Sequence, residues 1–185
     1  MKRIVLAGVL AGLAVFVFSS VIHIALPIGH MGFQSLPAED AVLSAMRAGI
    51  HEKGLYLFPG VDMSKKMTPE EQKAWNDRYV AGPTGLLAYS PGGEAPMLPR
   101  QLAVEYLSDV LAAAIAAFVI AHGSASFARR VGSVTLFGVF AWLSITVSIW
   151  NWYRFPTPWA VAELIDQAGG WFAGGLVIAA IYRAK

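Results

Sequence analysis

The chain contains no cysteine. This absence excludes disulfide bonds, thiolate metal sites, haem attached through cysteine, lipidation of an N-terminal cysteine and cysteine nucleophiles. Charge is also scarce, since charged residues make up 14% of the chain and the net charge is +2. No stretch of Lys and Arg is dense enough to follow a row of phosphates, so we expect no binding of nucleic acid. The sequence also lacks a Walker loop, a dinucleotide fingerprint and a G-x-S-x-G nucleophile motif.

Apolar residues are abundant instead. Hydrophobic residues make up 56% of the 185 residues, and the mean hydropathy is +0.54, a composition outside the soluble class. A helix that spans a bilayer needs about 20 mostly apolar residues. Four segments meet that requirement: 1–28, about 102–121, about 134–150 and about 159–182. We therefore predict an all-α membrane protein, with a bundle of four transmembrane helices and a small α/β extracytoplasmic cap, residues 29–100, between helices 1 and 2.

The first apolar segment has two interpretations. It follows the basic start Met1-Lys2-Arg3 and runs from Ile4 to about Pro27, a pattern shared by membrane anchors and cleaved signal peptides. The apolar core of a signal peptide is about 7 to 15 residues long, which is shorter than this run. No small-x-small cleavage site follows it. We therefore interpret the segment as a retained transmembrane helix.

Basic residues in short flanking segments predict the orientation, because such residues stay in the cytoplasm. Four spans would place three basic pairs on one side of the membrane: Lys2 with Arg3, Arg129 with Arg130, and Arg183 with Lys185. We therefore predict cytoplasmic N- and C-termini in a multi-pass protein of the cell membrane. The pattern fits a bacterial inner membrane best.

Local signals divide the predicted cap into short elements. The sequence Thr68-Pro69-Glu70-Glu71 has the form of a capping box, so we predict one helix near 69–80, and a second helix near 37–49. Two runs rich in aliphatic and aromatic residues, near 54–58 and 85–89, each end close to Pro and Gly. These runs predict two short strands that pair with each other.

The distribution of acidic residues is the most informative feature. Of the twelve acidic residues, eight lie in the predicted cap and the other four lie in the second and fourth spans. Charge inside a bilayer is costly, so we expect these side chains to face the interior of the helix bundle or the cap. They form two pairs, Glu105 with Asp109 and Glu163 with Asp166, whose spacings of four and three residues place each pair on one helix face. We predict that these four acidic residues, His23 of the first span and Asn151 of the third form a polar layer near the outer boundary of the membrane.

Two interpretations of this layer remain open. It either hydrogen-bonds loops and helix ends, or it binds a proton, a cation or a small polar ligand. His23 with two carboxylates would suit a hard or borderline divalent metal. A weaker metal candidate is a copper site of imidazole and thioether groups, although Met also fills gaps in ordinary cores. Its residues are His30, Met31, Met63 and Met67. The sequence does not identify a cofactor.

Small residues predict close helix contacts. Gly8 and Gly12 share one helix face, as do Gly170 and Gly174, and such pairs let helix backbones approach each other in lipid. The contacts would lie within the bundle, with a membrane protein partner or with a second copy.

Two functions follow from these features. The absence of a catalytic motif and the compact cap favour a non-enzymatic accessory or scaffold protein, which contacts a partner or ligand through the cap. The alternative is a small transporter or membrane enzyme with a site for a proton, cation or small polar ligand. That site would be formed by the acidic residues of helices 2 and 4 with His23.

Overall fold

A computed structural model describes residues 1–62, 64–121 and 125–182. The chain divides into two compact units, one of residues 1–33 with 95–185, the other of residues 34–94. Met63, one of the candidate copper ligands, lies outside the described residues. In chain order, the helices and strands are α1 Lys2–Ser20, α2 Glu39–Gly49, β1 Gly54–Phe58, α3 Pro69–Ala81, β2 Gly85–Tyr89, α4 Pro99–Ala121, α5 Phe127–Ala141, α6 Val147–Tyr153 and α7 Thr157–Ile181.

Two π-helical turns lengthen the helices of the larger unit. Residues Val21–Ala25 continue α1, and residues Trp142–Thr146 join α5 to α6. Within the described residues, four helices are long and apolar enough to cross a membrane: Lys2–Ala25, Pro99–Ala121, Phe127–Tyr153 and Thr157–Ile181. The prediction of four apolar helices of membrane length is confirmed, as is a small two-stranded sheet.

The third of these helices begins earlier than the predicted start near residue 134. Its first residue is Phe127, and the side chain of Ser126 accepts a hydrogen bond from the Arg129 backbone N–H. This N-cap satisfies a backbone group that would otherwise lack a partner, so the helix includes both arginines of the predicted flanking segment. Arg130 is buried, with 8% of its surface exposed, whereas Arg129 is exposed.

The helices of the larger unit pack through small residues. Helix α1 packs against α4 and α7, and α7 also packs against α5. The buried core is drawn from α1, α4, α5 and α7, and its members are Ala7, Ala11, Ala113, Ala116, Ala117, Val134 and Ile178. Because most of these side chains are short, the helix backbones approach closely, as is usual for helices in lipid.

The predicted glycine pairs lie at these contacts within the chain. A Cβ atom on Gly12 would lie 2.7 Å from the backbone N and Cα of Val110 in α4. A Cβ atom on Gly8 would lie 2.9 Å from the Cβ of Ala114. On α7, Gly170 and Gly174 face α1, where Val15 is the nearest side chain to both.

The smaller unit contains α2, α3 and an antiparallel pair of strands. Strand β1 pairs with β2 so that Gly54 lies opposite Tyr89 and Phe58 lies opposite Gly85. The strands occupy the two runs identified from the sequence. Helix α2 begins at Glu39, two residues after the start expected near 37, because Ala38 adopts a left-handed conformation with φ 49°.

Helix α3 begins at the capping box. The Glu71 backbone N–H donates to Thr68 Oγ1 at 3.2 Å, and the Thr68 backbone N–H donates to Glu71 Oε2 at 2.8 Å. The indole Nε1 of Trp75 donates to the carbonyl oxygen of Pro59 at 3.1 Å. This bond ties α3 to the chain that leaves β1.

Candidate functional site

A cavity of about 400 Å³ lies between α1, α4 and α7 in the larger unit. Its polar lining residues are Ser19, Ser20, His23, Glu105, Asp109, Asp166 and Gln167. Its apolar lining residues are Val15, Phe16, Ile24, Met97, Leu102 and Trp171. Polar groups that converge in a cavity between apolar helices are a common form of ligand site.

Asp166 of α7 is the most buried carboxyl of this cavity, with 8% of its surface exposed. Ser19 Oγ donates a hydrogen bond to Asp166 Oδ1 at 2.8 Å. His23 Nε2 lies 3.5 Å from Asp166 Oδ2, an ion pair when the imidazole is protonated. A buried carboxyl is costly without partners. Its two oxygens therefore find them on the neighbouring helix, and the polar contact joins α1 to α7.

Local backbone geometry positions His23 at the end of α1. His23 lies in the π-helical turn Val21–Ala25, where the Leu26 backbone N–H donates to the Val21 carbonyl at 3.1 Å. The chain then folds back, and a Cβ atom on Gly29 would lie 2.6 Å from His23 Cα and 2.7 Å from Nδ1. Only glycine fits there without displacing the imidazole. Single π-helical turns occur frequently at functional sites.

Helix α4 contributes the other two carboxyls. Glu105 and Asp109 both line the cavity, as their spacing of four residues predicts. The charge of Asp109 interacts with those of Glu105 and Asp166. Oxygen Oδ2 of Asp109 is buried, and no donor among the described residues lies within hydrogen-bond distance of it. Asp109 therefore has one buried oxygen whose bonding capacity none of the described residues fills.

The two other members of the predicted polar layer do not line the cavity. Glu163 is half-buried on α7, where its charge interacts with those of Asp166 and His23. Asn151 is exposed on α6, and α6 packs on the adjoining π-helical turn and on α7 rather than along the cavity. The cavity is formed by the first, second and fourth apolar helices, so a residue of the third contributes nothing to it.

The candidate copper ligands are divided between the two units of the chain. His30 is exposed and Met31 half-buried in the larger unit, whereas Met67 is half-buried in the smaller unit. Within residues 1–62, 64–121 and 125–182, no group of three or more His, Asp or Glu side chains is placed to hold a metal ion.

No family model, no curated protein and no solved structure matches the chain. The chemistry of the cavity is nevertheless distinctive, because three carboxyls and one imidazole line it and none of its described lining residues is Lys or Arg. Such a site has an excess of negative charge between apolar helices, and this charge favours a cation.

Several lining residues are absent from the candidates drawn from the sequence. Ser19 donates a hydrogen bond to Asp166, and Gln167 is the next residue after Asp166 on α7. The rings of Phe16 and Trp171 form part of the cavity wall. A signal for Ser19 exists, since it is one of two adjacent hydroxyl residues inside an apolar run. The two aromatic residues carry no comparable signal, because such residues are common throughout membrane helices.

Proposed function

We propose that this chain is a multi-pass membrane protein that binds a small cation in the cavity between α1, α4 and α7. The four apolar helices form a bundle across the membrane, with cytoplasmic termini and with residues 34–94 on the outer side, in a bacterial inner membrane. A site within such a bundle is typical of transporters rather than of scaffold proteins. We therefore place transport or sensing of the cation above catalysis.

One observation supports this proposal above all others: the carboxyls of Asp109 and Asp166, from different helices, share one cavity. Two carboxylates that share one cavity repel each other, and a bound cation or proton removes that repulsion. Asp109 has the unfilled bonding capacity. Asp166 is held in place by Ser19 and His23. Asp109 is thus suited to contact the ligand. Asp166 adds negative charge that stabilises the bound cation.

The test is cation-dependent stability of the purified full-length protein in detergent. A ligand that binds only the folded state stabilises it by RT ln(1 + [L]/Kd). We expect one class of inorganic or organic cation, screened at constant ionic strength, to raise the melting temperature in a saturable manner. The Asp166→Asn variant should lose this rise, although its side-chain oxygen can still accept the bond from Ser19.

The matched control is Asp77→Asn, because Asp77 is an exposed carboxyl of α3 that pairs with Lys73. This variant should keep the full cation response. If no cation changes the melting temperature of the wild-type chain more than that of Asp166→Asn, the proposal is wrong. Asp109→Asn serves as a second variant if the first does not fold.

A second candidate function is the scaffold role of residues 34–94. The observation that favours it is that this segment forms a compact unit of its own and exposes large apolar side chains, Leu55 at 72% and Val80 at 87%. A photo-crosslinking residue at either position should capture one partner protein in intact cells. The same residue at exposed Lys73 should not. Equal labelling at all three positions would contradict a specific interface.

A further inference from the structure

We infer that the ligand is an organic ammonium ion with an apolar body rather than a metal ion, an inference that rests on the proposed function. Size is the first reason. The cavity has a volume of about 400 Å³, whereas a water molecule in the liquid occupies about 30 Å³. Pockets for small organic ligands begin at about 300 Å³. The space is therefore roughly ten times larger than one water molecule occupies, which suits an organic ligand.

The walls of the cavity are the second reason. Six of the thirteen lining residues are apolar, and two of these, Phe16 of α1 and Trp171 of α7, are aromatic. Aromatic faces attract organic cations, Trp most strongly. A metal ion would gain nothing from such walls, because hard cations require several oxygen ligands around them. An ammonium group with an alkyl or aryl body uses both the charged and the apolar parts of the lining.

The distribution of hydrogen bonds among the carboxyls is the third reason. Both oxygens of Asp166 already have partners in Ser19 and His23. Asp109 retains a buried oxygen that receives no hydrogen bond from the part of the chain that the structure describes. Glu105 lies one turn away on the same face of α4. An ammonium group has three N–H donors and no acceptor. The α4 carboxyls therefore receive the ammonium group, and its apolar body lies toward the aromatic residues of α1 and α7.

The test measures the melting temperature of the purified full-length protein, by tryptophan fluorescence in detergent, against defined probes. The ammonium probes are n-butylammonium and 2-phenylethylammonium. Their neutral control is n-butanol, and the metal probes are Na⁺, Mg²⁺ and Mn²⁺. We expect both ammonium ions to stabilise the protein saturably, 2-phenylethylammonium at the lower concentration. The alcohol and the metal ions should leave the melting temperature unchanged.

Variants locate the bound ammonium ion. Asp109→Asn should weaken binding of 2-phenylethylammonium at least tenfold, and Trp171→Leu should weaken it roughly 2- to 30-fold, the range that cation–π contacts span. Glu105 is exposed, so Glu105→Gln keeps the test valid if Asp109→Asn does not fold. The exposed-site control Asp77→Asn should bind as tightly as the wild-type protein.

The outcomes separate this inference from the proposed function. Stabilisation by a metal ion that depends on Asp166, with no response to either ammonium ion, would overturn the inference and leave the proposed function intact. No response to any cation would overturn both. An ammonium response that persists in Asp109→Asn and Glu105→Gln, or that n-butanol reproduces, would show partition into the micelle and would also overturn the inference.

Discussion

The contact between α1 and α4 can be tested by adding a single methyl group at Gly12. A Cβ atom at this position would lie 2.7 Å from the backbone N and Cα of Val110 and 2.9 Å from its Cγ2. Carbon atoms in contact normally lie about 3.5–4.0 Å apart, so the two backbones must separate by about 1 Å in Gly12→Ala. Backbone atoms cannot swing aside as a flexible side chain can. The whole contact, which also includes Gly8, therefore loosens.

The magnitude follows from a matched variant. Replacing glycine by alanine inside a helix gains about 1 kcal/mol of helix propensity wherever it is made. Gly132 of α5 is exposed, and a Cβ atom there would meet nothing within 4 Å. Gly132→Ala therefore has the propensity gain alone, whereas Gly12→Ala also has the overpacking cost of about 1–3 kcal/mol. The difference between the two variants isolates the steric cost.

The assay is thermal unfolding in detergent, followed by the fluorescence of the six tryptophans. In a domain of 150–250 residues, 1 kcal/mol shifts the melting temperature by about 2–4 °C. The steric cost therefore predicts that Gly12→Ala melts roughly 2–12 °C below Gly132→Ala. If Gly12→Ala melts at the same temperature as Gly132→Ala or higher, α1 and α4 do not approach as closely as described.

Three further predictions concern helix contact, helix capping and a surface carboxyl. A cysteine pair at Ala11 and Gly174, whose Cβ positions lie 3.9 Å apart, should form a disulfide within one chain on mild oxidation. Mass spectrometry detects it, and a bond only between chains would contradict the contact. Thr68→Ala should destabilise α3 by about 1 kcal/mol and speed its amide exchange, whereas Thr68→Ser should not; equal exchange would refute the cap. Hydrogen bonds from the hydroxyl and backbone N–H of Ser64 lower the pKa of Asp62, so their stabilising effect is present at neutral pH and is lost as the pH falls through that lowered pKa. In NMR titration, Ser64→Ala should move the midpoint of Asp62 to higher pH, and an unchanged midpoint would refute the cause.

The carboxyl cluster was predictable in part because helical spacing is regular. Residues four apart share a face, so Glu105 and Asp109 had to point in similar directions. Which face of α7 meets α4 was not predictable, because apolar helices lack the polar side that would orient them. The sequence therefore could not show that Asp166 reaches the cavity and Glu163 does not. Asn151 was included for its predicted depth in a membrane, but depth does not determine which helices are neighbours.

The capped elements were the easiest to predict from local chemistry. The start of α3 depends on hydrogen bonds between residues three apart, Thr68 and Glu71, and such signals are visible in sequence. The start of α5 was missed because a double arginine looks like the end of a span. Arg130 is buried by tertiary packing, and the positions of basic residues in the sequence do not show how helices pack.

Assembly of the helices and the chemistry of the cavity depend on the same contacts. In lipid, apolar helices have no hydrophobic driving force to associate. Close packing of small residues and polar contacts between helices therefore stabilise their association. Gly12 packs against Val110, the residue next to Asp109, and Ser19 of the same helix holds Asp166. One helix, α1, thus contacts both α4 beside Asp109 and the carboxyl of Asp166, two of the three carboxyls that line the cavity. Loosening α1 at Gly12 should therefore weaken cation binding as well as stability, whereas Gly132→Ala, at a position that does not line the cavity, should leave binding unchanged.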